Sequence, residues 1–128
     1  MRVGAAYPNG DLANTRNAGG PIDAATVGQL RSAWKLPLTA KSLYGSYSAA
    51  PVISDGVVYS QDLASNVEAI SLRTGRVLWA RRYEAPDQGP NGVAVAAGRV
   101  YGATSTTSFA LDARTGRQLW SAKLTENS

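Results

Sequence analysis

The side chains of this 128-residue chain with most scope for chemistry are its nine Asp and Glu, since there is no histidine and no cysteine. Thiolate chemistry and disulfides are therefore excluded. The usual near-neutral base and the commonest metal ligand are missing as well. General acid and base catalysis needs two carboxylates brought together in a controlled environment. No spacing in the chain provides such a dyad. Asp55 stands in an Asp-Gly turn, Asp62 and Glu68 flank a loop, and Glu84 and Asp87 lie in a Pro- and Gly-rich connection. Asp11 and Asp23 sit near irregular backbone and would suit calcium as oxygen ligands, but EF-hand spacing is absent. Gly19-Gly20-Pro21 lacks both the glycine spacing and the Lys-Ser/Thr ending of a phosphate loop. Structural or solvated roles are expected for all of them, with no catalytic and no metal-ligating residue.

The formal charge of +4 comes from 13 Lys and Arg against the nine acids. Arg73 with Arg76, Arg114 with Arg117, and Arg81 with Arg82 form small scattered groups rather than one electropositive face, so no nucleic-acid partner is expected. No apolar run approaches the roughly 18 residues of a transmembrane helix. The opening "MRVGAAYPNG" breaks at Pro8 and Gly10, so no signal peptide is expected in this chain.

The elements that position these residues are written twice. "SLRTGRVLW" from Ser71 to Trp79 returns 41 residues later as "DARTGRQLW" from Asp112 to Trp120, and "AAPVISDGVVYS" from Ala49 matches "NGVAVAAGRVYG" from Asn91 at an offset of 42. Short runs of Val, Ile and Tyr between turn signals read as strands. The reading places four per copy: 49–53, 57–61, 67–72 and 76–82, then 92–96, 99–103, 108–113 and 117–123. A unit of about 42 residues with four antiparallel strands is the size of a propeller blade. Closed propellers use about four to eight blades, so two units cannot close. "VGQLRSAWKL", Val27 to Leu36, resembles only the outer end of a blade. The expected fold is all-β, a partial β-propeller of two four-stranded antiparallel blades plus one outer strand of another blade. Its parts are an irregular segment 1–26, the outer strand 27–36, and full blades at 48–83 and 91–123. The alternative is a small sandwich or barrel built from two similar hairpin pairs.

Gly75 and Gly116 fall where a tight turn needs positive φ. Thr74 and Thr115 offer hydroxyls that bond within the turn. Asp112 can accept turn amides; its counterpart Ser71 is a weaker acceptor, which argues for a turn role rather than a catalytic one. Trp79 and Trp120 follow their glycines by four residues, and Trp34 is placed like them. Each indole is expected to dock between adjacent blades over a Thr-Gly turn, its N–H bonded to a neighbouring carbonyl. Tyr59 and Tyr101 are repeat equivalents and read as shared packing, whereas Tyr44, Tyr47 and Phe109 read as covers near turns.

"ALDARTGRQLW" resembles the tryptophan-docking motif of quinoprotein dehydrogenases and related pyrroloquinoline quinone (PQQ)-like-repeat propellers. "NGDLANTRN" (Asn9 to Asn17) and "PIDAATVGQLRSAW" (Pro21 to Trp34) resemble the segment that opens many PQQ-dependent alcohol dehydrogenases. The resemblance implies an eight-bladed propeller working in the periplasm or outside the cell. It further implies PQQ with calcium or a lanthanide near the axis, oxidising alcohols or sugars, with a catalytic aspartate beyond the region matched here. By the same resemblance, Ser48 falls where some members carry a metal-binding glutamate, and Asn91 where an arginine contacts the quinone. The adjacent cysteine pair of many alcohol dehydrogenases is absent. The expected partners are the remaining blades or copies of the same chain. A second reading is a non-enzymatic scaffold facing a protein of the cell envelope.

Overall fold

Apolar residues at every second position, punctuated by Gly turns, fold as eight short strands. The computed structural model describes Leu12, Ala13, Thr15 and residues 19–124. Asp11 and most of the segment from Asn9 to Asn17 lie outside the described residues. The strands are β1 (Val52–Ser54), β2 (Val57–Gln61), β3 (Val67–Ser71), β4 (Val77–Arg81), β5 (Ala94–Ala96), β6 (Arg99–Ala103), β7 (Thr107–Asp112) and β8 (Gln118–Lys123). They form two four-stranded antiparallel sheets, β1-β2-β3-β4 and β5-β6-β7-β8, with no closed barrel. This is a partial propeller of two blades.

The innermost strands are shorter than the sequence suggested. β1 starts at Val52 rather than Ala49, and β5 at Ala94 rather than Gly92. An innermost strand has a ladder on one side only, and Pro51 has no N–H to add to it. The segment 27–36 opens with a 3-10 turn, Val27–Gln29, and then runs without a ladder partner among the described residues. An outer strand pairs with the inner strands of its own blade, and the two described sheets are each built from the four strands of their own repeat.

The core is the seam between the sheets rather than the interior of either one. Tyr59, Val67 and Ala69 of the first sheet meet Val100, Phe109 and Leu111 of the second, all buried, and Trp79, Tyr83, Val93 and Val95 pack against them. Side chains alternate across a strand, so one face of each sheet enters this layer. Phe109 is no cover near a turn: it lies on β7, fully buried, with its ring stacked 4.5 Å from that of Tyr83. Gly102 makes room for it, since a Cβ there would come within 2.6 Å of the ring.

Both first hairpins turn on two residues, Asp55-Gly56 (φ 48° and 76°) and Ala97-Gly98 (φ 49° and 72°). Positive φ at both positions is the I′ geometry, which matches strand twist and favours Asn or Asp followed by Gly. Ala97 therefore sits in a left-handed conformation without a side chain that suits it. Ala97→Asn is expected to raise stability by about 1 kcal/mol, read as a higher urea midpoint with an unchanged slope.

Candidate functional site

The repeated turn joins β3 to β4 and β7 to β8 with the same hydrogen bonds. Gly75 N–H donates to the Ser71 carbonyl and Ser71 N–H to that of Arg76, each at 2.8 Å. Gly116 to Asp112 and Asp112 to Arg117 repeat this, again at 2.8 Å. The glycines have φ of 71° and 72°. Asp112 Oδ1 accepts the Thr115 hydroxyl (3.0 Å) and the amides of Thr115 (2.9 Å) and Arg114 (3.0 Å). The Thr115 hydroxyl, then its amide, hold the carboxyl below the ordinary aspartate range. Ser71 Oγ accepts the Thr74 amide at a longer 3.3 Å. The carboxylate is thus occupied by its own turn.

A bulge then aims the tryptophans. Ala69 opposes Trp79 while Ile70 opposes Val77, leaving Leu78 as the extra residue. Ala110, Trp120, Leu111, Gln118 and Leu119 repeat the arrangement. A bulge bends and twists its strand locally, and here each indole stands opposite a small, fully buried alanine.

Trp79 reaches the second blade, where Nε1 donates to the Ala113 carbonyl at 2.9 Å and the ring lies on Gly116. A Cβ on Gly116 would approach that ring to 2.5 Å. Trp34 does the same on the first blade: Nε1 donates to the Leu72 carbonyl at 2.7 Å, and a Cβ on Gly75 would meet the ring at 2.6 Å. Leu72 and Ala113 are repeat equivalents, and each donates its own N–H at 2.9 Å to the glycine carbonyl of the I′ turn beside it, Gly56 or Gly98. Tyr59 Oη adds a second donor to the Ala113 carbonyl at 3.3 Å. Burial raises the Tyr59 pKa, so its hydroxyl stays protonated as a donor. Trp120 has no further turn to cover among the described residues and is 46% exposed.

Sequence reasoning missed the polar brace of the seam. Gln61 is fully buried; its Nε2 donates to the Ala103 carbonyl at 2.8 Å and its Oε1 accepts the Gly92 amide at 3.2 Å, both in the second blade. Asn91 Nδ2 donates back to the Asp62 carbonyl at 2.7 Å. Buried Asn66 accepts the Tyr83 and Glu84 amides through Oδ1 and fixes the chain leaving β4. Tyr83 Oη and the Arg81 guanidinium both reach Gln118 Oε1, at 3.1 and 3.4 Å. The signal for Gln61 was available: in "VVYSQ" it shares the face of Val57 and Tyr59, so a polar side chain was entering the core. Tyr83 follows its strand and carries no such pattern.

The remaining carboxylates among the described residues do not gather at one site. Asp23 accepts the amides of Ala25 and Thr26 and the Thr26 hydroxyl, and the Thr26 bonds, its amide first, lower its pKa. Asp62 binds amides of its own loop, Glu68 pairs with Arg82 at 2.8 Å, and Asp87 accepts the Gly89 amide. Among the described residues no group of three or more acidic, His or Cys side chains is placed to hold a metal.

The PQQ-like-repeat family model described as "Outer membrane protein assembly factor BamB" matches residues 22–128. The chain belongs to this PQQ-like-repeat β-propeller family. Quinohemoprotein alcohol dehydrogenase ADH-IIG of Pseudomonas putida is 36% identical over 110 residues, covering 78% of this chain and 15% of that relative. A europium-containing methanol dehydrogenase superposes with a TM-score of 0.73 at 23% identity, over 96% of this chain and 23% of that one. BamB from Moraxella catarrhalis superposes with a TM-score of 0.52 at 20% identity, over 63% and 24%. The last two likenesses show the fold. The PQQ-like-repeat chain thus spans less than a quarter of the length of each of these three proteins.

The two positions that the resemblance ties to cofactor do not fit a quinone and its cation. Ser48 is exposed and packs its hydroxyl against Gly89. It carries no charge for a hard cation. Asn91 lines an open groove of about 690 Å³ with Pro51, Gly92 and Tyr101. Its amide nitrogen is committed to Asp62, and its Oδ1 is buried without a hydrogen-bond partner. Among the described residues no cationic side chain lines that groove.

Trp79→Ala is expected to lower stability by about 3 kcal/mol, and Trp120→Ala by less than about 1 kcal/mol, as at exposed sites. Gln61→Leu leaves the Gly92 amide and a carbonyl unpaired and is expected to cost about 2 kcal/mol. Urea melts of the three variants check this order. Because the folded-state pKa of Asp112 is lowered, its contribution is present above the unfolded value and lost as pH falls through about 4 and below. Asp112→Ser, which copies Ser71, is expected to flatten the fall in melting temperature over that range.

Proposed function

We propose that this chain supplies a structural section, two blades, of a quinoprotein-dehydrogenase-like propeller. In the completed ring, oxidation of an alcohol or sugar with PQQ is carried by residues outside these blades. The observation that carries the reading is the repeated seam: Trp34 on Leu72 and Gly75, and Trp79 on Ala113 and Gly116, use one chemistry to join successive units. Its alcohol-dehydrogenase side rests on the quinohemoprotein relatives that share the sequence. In this reading 48–83 and 91–123 are full blades, and 27–36 holds the place of an outer strand whose blade is completed by other strands. Residues 1–26 precede that strand. The structural residues are Trp34, Gly75, Trp79, Asp112, Gly116 and Trp120. The family description supports a periplasmic or extracellular setting, and no described helix is long and apolar enough to cross a membrane.

A second reading, a non-enzymatic envelope scaffold, is favoured by Ser48 and Asn91, which offer neither carboxylate nor cation. Calorimetric titration of PQQ with calcium, and with a lanthanide, tests both. The chain by itself is expected to show no saturable heat, and a saturable isotherm would overturn its purely structural role. Repeating the titration on a ring completed with further blades separates the readings: binding supports the dehydrogenase, and its absence the scaffold.

A further inference from the structure

Asn91 and Gly92 are neighbours in sequence, and that pair carries a reaction of its own. The backbone nitrogen of the residue after an asparagine can attack the side-chain amide carbon, and glycine, with no Cβ, leaves that approach open. The new bond joins Gly92 N to Asn91 Cγ. The Cγ–Nδ2 bond breaks, and the nitrogen leaves as ammonia with the proton given up by the Gly92 N–H. Water then adds to either carbonyl of the cyclic imide, which leaves a carboxylate at position 91 in a normal or a β-linked peptide. The first blade has no counterpart, since Ala49 and Ala50 occupy the repeat positions.

The seam between the blades opposes each part of that reaction. The Gly92 N–H, whose proton a base must remove before the nitrogen can attack, donates to Gln61 Oε1 at 3.2 Å. Asn91 Nδ2, the leaving group, donates to the Asp62 carbonyl at 2.7 Å, so the side chain is pinned to the first blade. Asn91 Oδ1, where the negative charge of the tetrahedral intermediate would collect, is buried and meets no donor among the described residues. A buried oxyanion without donors is costly. We propose that Asn91-Gly92 is a latent deamidation site, held unreactive by Gln61 and Asp62 while the two blades are closed and released when their seam opens. The product also prevents the seam from closing as before. A carboxylate oxygen in place of Nδ2 faces the Asp62 carbonyl with no hydrogen to donate, and its charge would be buried unpaired. The β-linked product adds a backbone atom before Gly92, which moves the N–H away from Gln61. Opening thus leaves a permanent chemical mark on the brace. This goes beyond the structural role proposed above and does not depend on what adjoins the outer edges of the blades.

Mass spectrometry of the full chain incubated at mildly alkaline pH tests this. Cleavage after Arg82 and Arg99 isolates residues 83–99, in which Asn91 is the only asparagine. Conversion of Asn91 is expected to be slower by about a hundredfold or more in the folded chain than in guanidinium chloride. Gln61→Leu is expected to speed it by about tenfold or more in the folded chain. Ile70→Ala, at a buried position outside the seam cluster, is expected to change it by less than about threefold. A second measurement needs no variant. Hydrogen exchange of the Gly92 amide breaks the same bond to Gln61, so its protection is expected to match that of Asn91 within about tenfold. Conversion as fast in the folded chain as in denaturant, Gln61→Leu no faster than Ile70→Ala, or protection of Asn91 that departs from that of the Gly92 amide would each overturn the proposal. None of these outcomes bears on the cofactor titration, so the two readings fail separately.

Discussion

Everything in this fold leans on one peptide group per blade, the carbonyl of Leu72 or Ala113. Its N–H is held by the adjacent hairpin and its oxygen by an indole from the neighbouring unit. A buried polar group must be paired, and here the pairing is what connects one sheet to the next. The ring that donates to it also needs to lie flat on backbone, which admits only glycine at 75 and 116. Positive φ would favour glycine there in any case. The approach of the indole makes the same demand independently, so two constraints converge on one residue.

That fastener is generic, and a generic fastener does not say which unit belongs beside which. The information about order lies in the residues that do not repeat. Gln61 has Ala103 as its counterpart, and Phe109 has Glu68. At the internal seam Gln61 spans to Ala103 and Gly92 while Tyr83 stacks on Phe109. A buried amide placed against the wrong neighbour would lose its partners and the free energy they contribute. Repetition thus supplies adhesion, and departure from repetition supplies address. Asn91 belongs to the same division: its neutral amide braces the seam by donating to the Asp62 carbonyl.

The architecture was legible because it is local and written twice. Gly-containing turns at fixed distance from Val-rich runs gave the strands, and two copies gave the blade size. The Trp-to-turn contact could be anticipated since a planar donor four residues after a glycine recurs with its surroundings. Two kinds of feature escaped. The ends of β1 and β5 depend on having a neighbour on one side only, which composition does not encode. Phe109 reads as a cover in its own stretch of sequence because its environment is Tyr83, a residue 26 positions earlier and in another blade's exit segment. The candidate site was only half visible for the same reason: hydrogen bonds from Gln61 and Asn91 cross between units, and no short window of sequence contains both ends.

The hairpins of the two blades differ in length at one end only. The β1–β2 turns both have two residues and the β3–β4 turns five, but the β2–β3 connection shortens from five residues, Asp62–Asn66, to three, Thr104–Thr106. The two constant turns are the ones bonded to each other and capped by an indole, so adding a residue to either would displace the socket. At the opposite end no such coupling fixes the count: one residue is missing from the second copy, and β7 takes up one more by beginning a residue earlier. The two blades of this chain thus share the geometry of one end and differ at the other, so a change of length at the Asp62–Asn66 end leaves the indole sockets where they are.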